Sequence, residues 1–132
     1  AHDIGIWVGA YKPRLLRMTG RLADGWLPSL GYLENGPADL AEMNRHIDEG
    51  AAKAGREPSA IRRMLNINGQ FAAQGQGFLV GPTAQWAEQL AEVATKYGIS
   101  GFIVAADDPY TIEAFGQEVA PAVRELVGAP AR

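Results

Sequence analysis

Four short apolar runs alternate with longer stretches of helical period along this chain, and that alternation restricts the fold more than any other feature. Strands separated by helix-length segments cannot close as hairpins. They pair in parallel, with each crossover helix laid against the sheet. Residues 4–8, Ile-Gly-Ile-Trp-Val, read as a buried first strand, and Gly25-Trp26-Leu27-Pro28 as a very short second one. Residues 63–71 read as the third. Residues 101–105, Gly-Phe-Ile-Val-Ala, form the fourth, continuous and apolar as a strand covered on both faces should be. Right-handed crossovers turn four such units into a curved sheet with helices on one side, or into an open doubly wound sheet. The expected fold class is α/β, with four parallel βα units in one domain, residues 1–132. A complete eight-unit barrel takes ~250 residues, so the chain has about half of what one needs.

Local signals mark the helices. Pro13 suits a first helical position. In the helix it opens, Leu15, Met18 and Leu22 share one face, and Arg14, Arg17 and Arg21 share the other, read as solvated. Pro37 opens the most regular helix, with Leu40, Met43, Ile47, Ala51 and Ala54 at helical spacing and Gly55 where a left-handed cap belongs. Residues 72–77, small, polar and glycine-rich, read as a mobile loop. Thr83 is placed to cap a helix with Trp86, Leu90, Val93 and Tyr97 on its apolar stripe, ended by Gly98. Asp108-Pro109 is an N-cap followed by a first-turn proline. The last helical region carries Ile112, Phe115 and Val119 and is expected to kink or restart at Pro121.

Composition excludes several chemistries. The chain has no cysteine, so disulfides, thiolate metal sites and cysteine nucleophiles are ruled out, and a reducing cytoplasm is the expected setting. A net charge of −3 argues against nucleic acid as a partner. No apolar run approaches the ~20 residues that span a bilayer, so no membrane segment is expected. The chain opens at Ala1 with an apolar run from Ile4, which suits a fragment or a cleaved product.

In parallel α/β folds ligands meet the C-terminal ends of the strands. Four segments are expected there: residues 9–12, 27–29, 68–71 and 106–108. The first is the leading candidate. N–H groups at a helix N-terminus bind phosphate through unpaired donors and the helix dipole. Gly9 and Ala10 admit a close approach, and Lys12 adds a positive charge. An ordinary strand-to-helix turn has the same sequence, and both readings stay open. Trp26 and Tyr11 can flank a flat ring or serve as core and lid. Asp107 and Asp108 are adjacent carboxylates, but capping accounts for Asp108. His2 and His46 are far apart, and His46 reads as a surface side chain, so no metal site is expected. Neither a nucleophile elbow nor a phosphate-loop motif is present, and no catalytic residue is assigned.

Two ordered stretches carry a resemblance. One is Ile6-Trp7-Val8-Gly9-Ala10-Tyr11-Lys12-Pro13-Arg14-Leu15-Leu16, and the other is Gly20-Arg21-Leu22-Ala23-Asp24-Gly25-Trp26-Leu27-Pro28-Ser29. Further along come Ile47-Asp48-Glu49, Ala54-Gly55-Arg56-Glu57-Pro58, Gly81-Pro82-Thr83, Tyr97-Gly98-Ile99, and Phe115 with Glu118-Val119-Ala120-Pro121. Together they resemble the luciferase-like monooxygenase superfamily over nearly the whole chain. The strongest element is Ala23-Asp24-Gly25-Trp26 in register with the preceding turn. The resemblance implies an eight-unit TIM barrel of which this chain is the C-terminal half, strands five to eight. It implies FMN or the deazaflavin coenzyme F-420 as cofactor and redox chemistry on a small-molecule substrate. It also places Gly9, Ala10, Tyr11 and Lys12 at the cofactor phosphate, although Tyr11-Lys12 departs from the small residues many relatives carry there. A half barrel has open edges, so a homodimer or a missing N-terminal half is the expected partner. The competing expectation is a non-catalytic half-barrel module that self-associates and binds a phosphorylated ligand.

Overall fold

The computed structural model describes residues 3–128, and within them the chain divides into two units. The first unit comprises residues 1–66 and 99–103, and the second comprises residues 67–98 and 104–132. His2 lies outside the described residues.

The first unit is built on parallel strands. β1 (Trp7–Val8) pairs with β2 (Gly25–Trp26), Trp7 opposite Gly25 and Val8 opposite Trp26. Helix α1 (Pro13–Leu22) forms the crossover between them, with Pro13 in its first turn as expected. Helix α2 (Leu40–Lys53) leads to β3 (Arg62–Ile67), which pairs in parallel with β2. Gly55 takes the left-handed conformation past the end of α2, with φ +70°. The second unit contains β4 (Gln70–Phe71) and β5 (Val80–Gly81), a separate parallel pair, followed by α3 (Thr83–Tyr97). Gly98 ends α3 at φ +67°. β6 (Gly101–Val104) lies beside β3, giving the sheet order β1-β2-β3-β6. Helix α4 (Pro109–Ala114), a π-helical turn at Phe115–Val119 and helix α5 (Ala120–Leu126) complete the chain. The restart expected at Pro121 is this turn: proline has no N–H to continue the ladder, and the helix loosens just before it.

Several expectations are corrected. The first strand is two residues long, not five, and it is not buried: Ile4 is 82% and Ile6 56% exposed. β1 is last in the sheet order, so no strand among the described residues pairs with its outer side. The third strand does not run unbroken to Phe71. It stops at Ile67, and the chain re-pairs at β4 with a partner, β5, that the sequence did not announce. Gly69 makes the break, because a Cβ there would lie 2.2 Å from the Leu79 carbonyl and 2.7 Å from the Trp86 ring.

Helix α1 has the expected period but buries another face. Leu16, Thr19 and Gly20 are buried, whereas Leu15, Met18 and Leu22 are exposed. The cause is a glycine contact with α2. A Cβ on Gly20 would come within 1.9 Å of the Ile47 carbonyl oxygen, and one on Gly50 within 2.0 Å of the Arg17 carbonyl oxygen. Only glycine permits the two backbones to meet here. The same approach covers the flank of the α2 stripe, so His46 is buried rather than at the surface. Arg17 is not simply solvated either, since it pairs with Glu49 of α2 at 3.2 Å. Thr83 does not cap α3. Pro82 holds the cap position, and the Thr83 hydroxyl donates to Glu118 at 3.4 Å. Residues 72–77 lie outside regular structure, but they are tied down: the Gln85 amide donates to the Gly77 carbonyl at 2.8 Å, and Gln76 N–H to Val80.

Candidate functional site at the strand ends

Residues 9–12 leave β1 at its C-terminal end and enter α1 directly. Two bonds from neighbouring elements fix the turn. The Trp26 indole N–H donates to the Ala10 carbonyl at 3.0 Å in a buried setting, and the Tyr11 hydroxyl accepts the Ser29 N–H at 2.9 Å. Trp26 is fully buried and Ala10 nearly so. Trp26 is thus core, not a ring platform. Tyr11 stands edge-on to Tyr32, ring centroids 5.5 Å apart, and Tyr32 is exposed.

The backbone donors of this turn have no hydrogen-bond acceptor among the described residues. Lys12 is the cap residue of α1 and makes no side-chain capping bond. Among the described residues, no backbone hydrogen bond is donated by Ala10, Tyr11 or Lys12. Pro13 has no N–H to waste, and the first intrahelical bond of α1 is Leu16 N–H to Lys12 at 2.9 Å. The result is a cluster of unpaired donors at the positive end of a helix, with an exposed ammonium beside it. That arrangement suits an anion. Gly9 is less constrained than the sequence suggested, because a Cβ there would meet only the Leu27 carbonyl at 3.4 Å.

Structure also brings in a residue that sequence reasoning missed. Asn66, near the end of β3, donates from its side-chain amide to the Ser29 hydroxyl at 3.2 Å, and the two residues form an isolated parallel bridge. Tyr11, Ser29 and Asn66 therefore form a connected polar rim across the ends of three strands. The only hint was a polar side chain inside the apolar run Met64-Leu65-Asn66-Ile67.

Among the other strand-end segments, residues 68–71 and 106–108 fall in the second unit. Gln70 and Ala72 donate to Leu79 and Gly81 in the β4–β5 ladder. The Asp108 carboxylate accepts the Thr111 N–H at 2.8 Å, as an N-cap should. That bond holds it below the usual carboxylate range. A catalytic pair with Asp107 finds no support. His46 stands 3.6 Å from Glu42 and 3.8 Å from Glu49, and no group of three or more metal-ligating side chains exists among the described residues. No described helix is long and apolar enough to cross a membrane.

The chain is similar to several known proteins. The family described as luciferase-like monooxygenase matches residues 2–76, more than half of the chain. A phthiodiolone/phenolphthiodiolone dimycocerosates ketoreductase of Mycobacterium tuberculosis is 41% identical over 56 residues, 42% of this chain and 14% of the relative. A 5,10-methylenetetrahydromethanopterin reductase of Methanolobus tindarius is 27% identical over 128 residues, 97% of this chain and 33% of the relative. The chain thus spans a third or less of these relatives. Among solved structures, a secondary alcohol dehydrogenase dependent on coenzyme F-420 superposes with a TM-score of 0.76 at 15% identity, over 93% of this chain and 50% of that one. A riboflavin lyase holding modified FMN and riboflavin gives 0.75 at 15% identity, over 94% and 43%. At such identities the likeness establishes a shared α/β fold with a parallel sheet.

Proposed function

The chain belongs to the luciferase-like monooxygenase family, and from that premise we propose that it is the C-terminal half, strands five to eight, of a flavin- or deazaflavin-dependent oxidoreductase barrel. On this reading residues 1–132 form one half-barrel domain of four βα units. The cofactor is FMN or coenzyme F-420, the substrate is a small molecule, and the setting is a reducing cytoplasm, consistent with the absence of cysteine. The bound cofactor supplies the hydride or oxygen chemistry. The chain's own part is to hold the phosphate end: N–H groups of Ala10, Tyr11 and Lys12 donate to it, Gly9 leaves room, and the Lys12 ammonium adds charge. A second copy or an N-terminal half completes the barrel. The two-fold pair is the form expected of the 132-residue chain alone, through the edges at β1 and β6.

One observation carries the phosphate assignment: unpaired donors at the N-terminus of α1, at the C-terminal end of a parallel strand. The residues fit the group, since the turn is pinned from behind by Trp26 and Tyr11 while its donors stay free. The test is a titration of the chain with FMN and with coenzyme F-420, followed by cofactor fluorescence. Saturable binding of one of them is expected. Lys12→Glu should weaken it by at least about tenfold, the scale of one reversed charge beside a phosphate. Lys53→Glu, on the exposed end of α2, should leave it unchanged. Equal affinity for the Lys12 variant and the parent would remove the phosphate from this turn. Binding without turnover is expected of the chain alone, and full oxidoreductase activity from it would refute the half-barrel reading.

A further inference from the structure

Tyr11, Ser29 and Asn66 all belong to the first unit, and chemistry settles the direction of the hydrogen bonds that join them. A backbone N–H can only donate. The Tyr11 oxygen therefore accepts from the Ser29 N–H at 2.9 Å, and its own proton turns away from that amide. A side-chain NH2 can only donate as well. The Ser29 hydroxyl therefore accepts from Asn66 at 3.2 Å, and its proton turns away from Asn66. No acceptor among the described residues takes either proton. Asn66 itself is held in register: its N–H bonds to the Pro28 carbonyl at 2.9 Å, and it pairs with Ser29 in the parallel bridge. Two half-buried hydroxyls are thus oriented as donors at the strand ends that carry the unpaired N–H groups of residues 10–12.

We propose that the Ser29 and Tyr11 hydroxyls donate to an acceptor oxygen on the phosphate-bearing end of the ligand, and that Asn66 is a positioning residue that turns the Ser29 proton toward it. This rests on the phosphate reading above and extends it to side chains from two further strand ends. Selectivity follows from the direction of the bonds. An oxygen with free lone pairs is accepted, whereas a group that presents its own proton there meets proton against proton and leaves buried donors unpaired.

The test uses the full chain, with FMN and coenzyme F-420 as probes and cofactor fluorescence as the readout. Ser29→Ala is expected to raise the Kd about tenfold, the scale of one well-placed hydrogen bond. Tyr11→Phe keeps the ring beside Tyr32 and should cost a similar factor by removing the second hydroxyl. Asn66→Asp reverses a link, because an ionised carboxylate only accepts and the Ser29 proton turns to it. It should raise the Kd of the parent about tenfold, but that of the Ser29→Ala chain by less than about threefold, since the hydroxyl it captures is already gone. A structural role for Asn66, or simple charge repulsion by the new carboxylate, would weaken both backgrounds alike, and that result would overturn the relay. Urea midpoints show that each variant is folded. Lys12→Glu reads the phosphate turn separately. If it weakens binding while Ser29→Ala and Tyr11→Phe do not, the hydroxyl contacts are wrong and the phosphate reading stands. If the hydroxyl variants weaken binding while Lys12→Glu does not, the phosphate placement fails and the hydroxyl contacts stand. A parent chain that binds neither cofactor overturns both.

Discussion

Gly50→Ala tests whether the α1–α2 contact is set by backbone approach. A Cβ at position 50 would lie 2.0 Å from the Arg17 carbonyl oxygen. An ordinary carbon–oxygen contact is about 3.3 Å, so the helices must separate by about 1.3 Å. A gap of that size forfeits much of the dispersion contact around Leu16, Ile47 and Ala51, all of them buried. Overpacking of this kind costs about 1–3 kcal/mol, occasionally more. Alanine returns about 1 kcal/mol through helix propensity. The clash wins, and a net loss of about 2 kcal/mol is expected. In urea denaturation followed by far-UV circular dichroism, that loss lowers the midpoint by roughly 1–2 M with little change in slope. Gly20→Ala meets the Ile47 carbonyl at 1.9 Å and should behave alike. The double variant should cost less than the sum, since one separation relieves both clashes. Gly116→Ala is the opposite case. A Cβ there meets nothing within 4 Å, so stability should rise by up to about 1 kcal/mol. A Gly50→Ala chain as stable as the parent would refute the close-approach account of which α1 face is buried.

Other substitutions probe single interactions. Arg63 is buried and donates to Asp48 at 2.5 Å, to Asn44 at 2.9 Å and to the Pro58 carbonyl at 3.2 Å. Asp48→Ala should cost about 1–3 kcal/mol in the same urea assay by removing the charged partner of a desolvated guanidinium. Asp108 is held below its ordinary 3.8 by the Thr111 N–H, so its stabilising effect is complete above that value and is lost as pH falls through the lowered folded value. The stability gap between the parent and Asp108→Ala should therefore be constant from pH 7 down to about pH 5 and close in stronger acid, as thermal melts will show. Trp26→Phe removes the donor to the buried Ala10 carbonyl; it should cost about 1–3 kcal/mol and weaken cofactor binding together with stability.

What the sequence disclosed was local. Pro13, Gly55, Gly98 and the Asp108-Pro109 pair act on their own few residues, and each stands where it was read. What it concealed was set by distant partners. Leu15, Met18 and Leu22 look like a core face because the helical period says only that a face is apolar, not which face meets a neighbour. Gly20 and Gly50 decide that, and a glycine in a helix reads as a flaw until its opposite number is known. His46 is buried by the same contact. The break at Asn68-Gly69 and the pairing of β4 with β5 depend on Leu79 and Trp86, ten or more residues along. At the candidate site the turn itself was legible, as a small-residue exit from a strand into a proline-started helix. Ser29 was legible as part of the segment 27–29, but Tyr32 and Asn66 were not, because only parallel pairing brings three strand ends together.

The segment Asp24-Gly25-Trp26 shows how the recognisable motif acts physically. Each of its residues fixes a different level of β1 and the turn beyond it. The Asp24 carboxylate accepts the Ile6 N–H at 2.7 Å, while the Ile6 carbonyl accepts the Asp24 N–H at 2.9 Å, so the chain is clamped just before the strand. Gly25 lies opposite Trp7, and a Cβ there would come within 2.3 Å of the indole, so this position must lack a side chain for the strands to pair. Trp26 lies opposite Val8 and reaches past it to the Ala10 carbonyl. Entry, pairing and exit of one edge strand are thus set by three consecutive residues of its neighbour. An edge strand of two residues has little hydrogen bonding of its own with which to aim a turn. The donors of residues 10–12 are held in place from β2, and this ties the motif to the proposed phosphate site without any of its three residues having to touch a ligand.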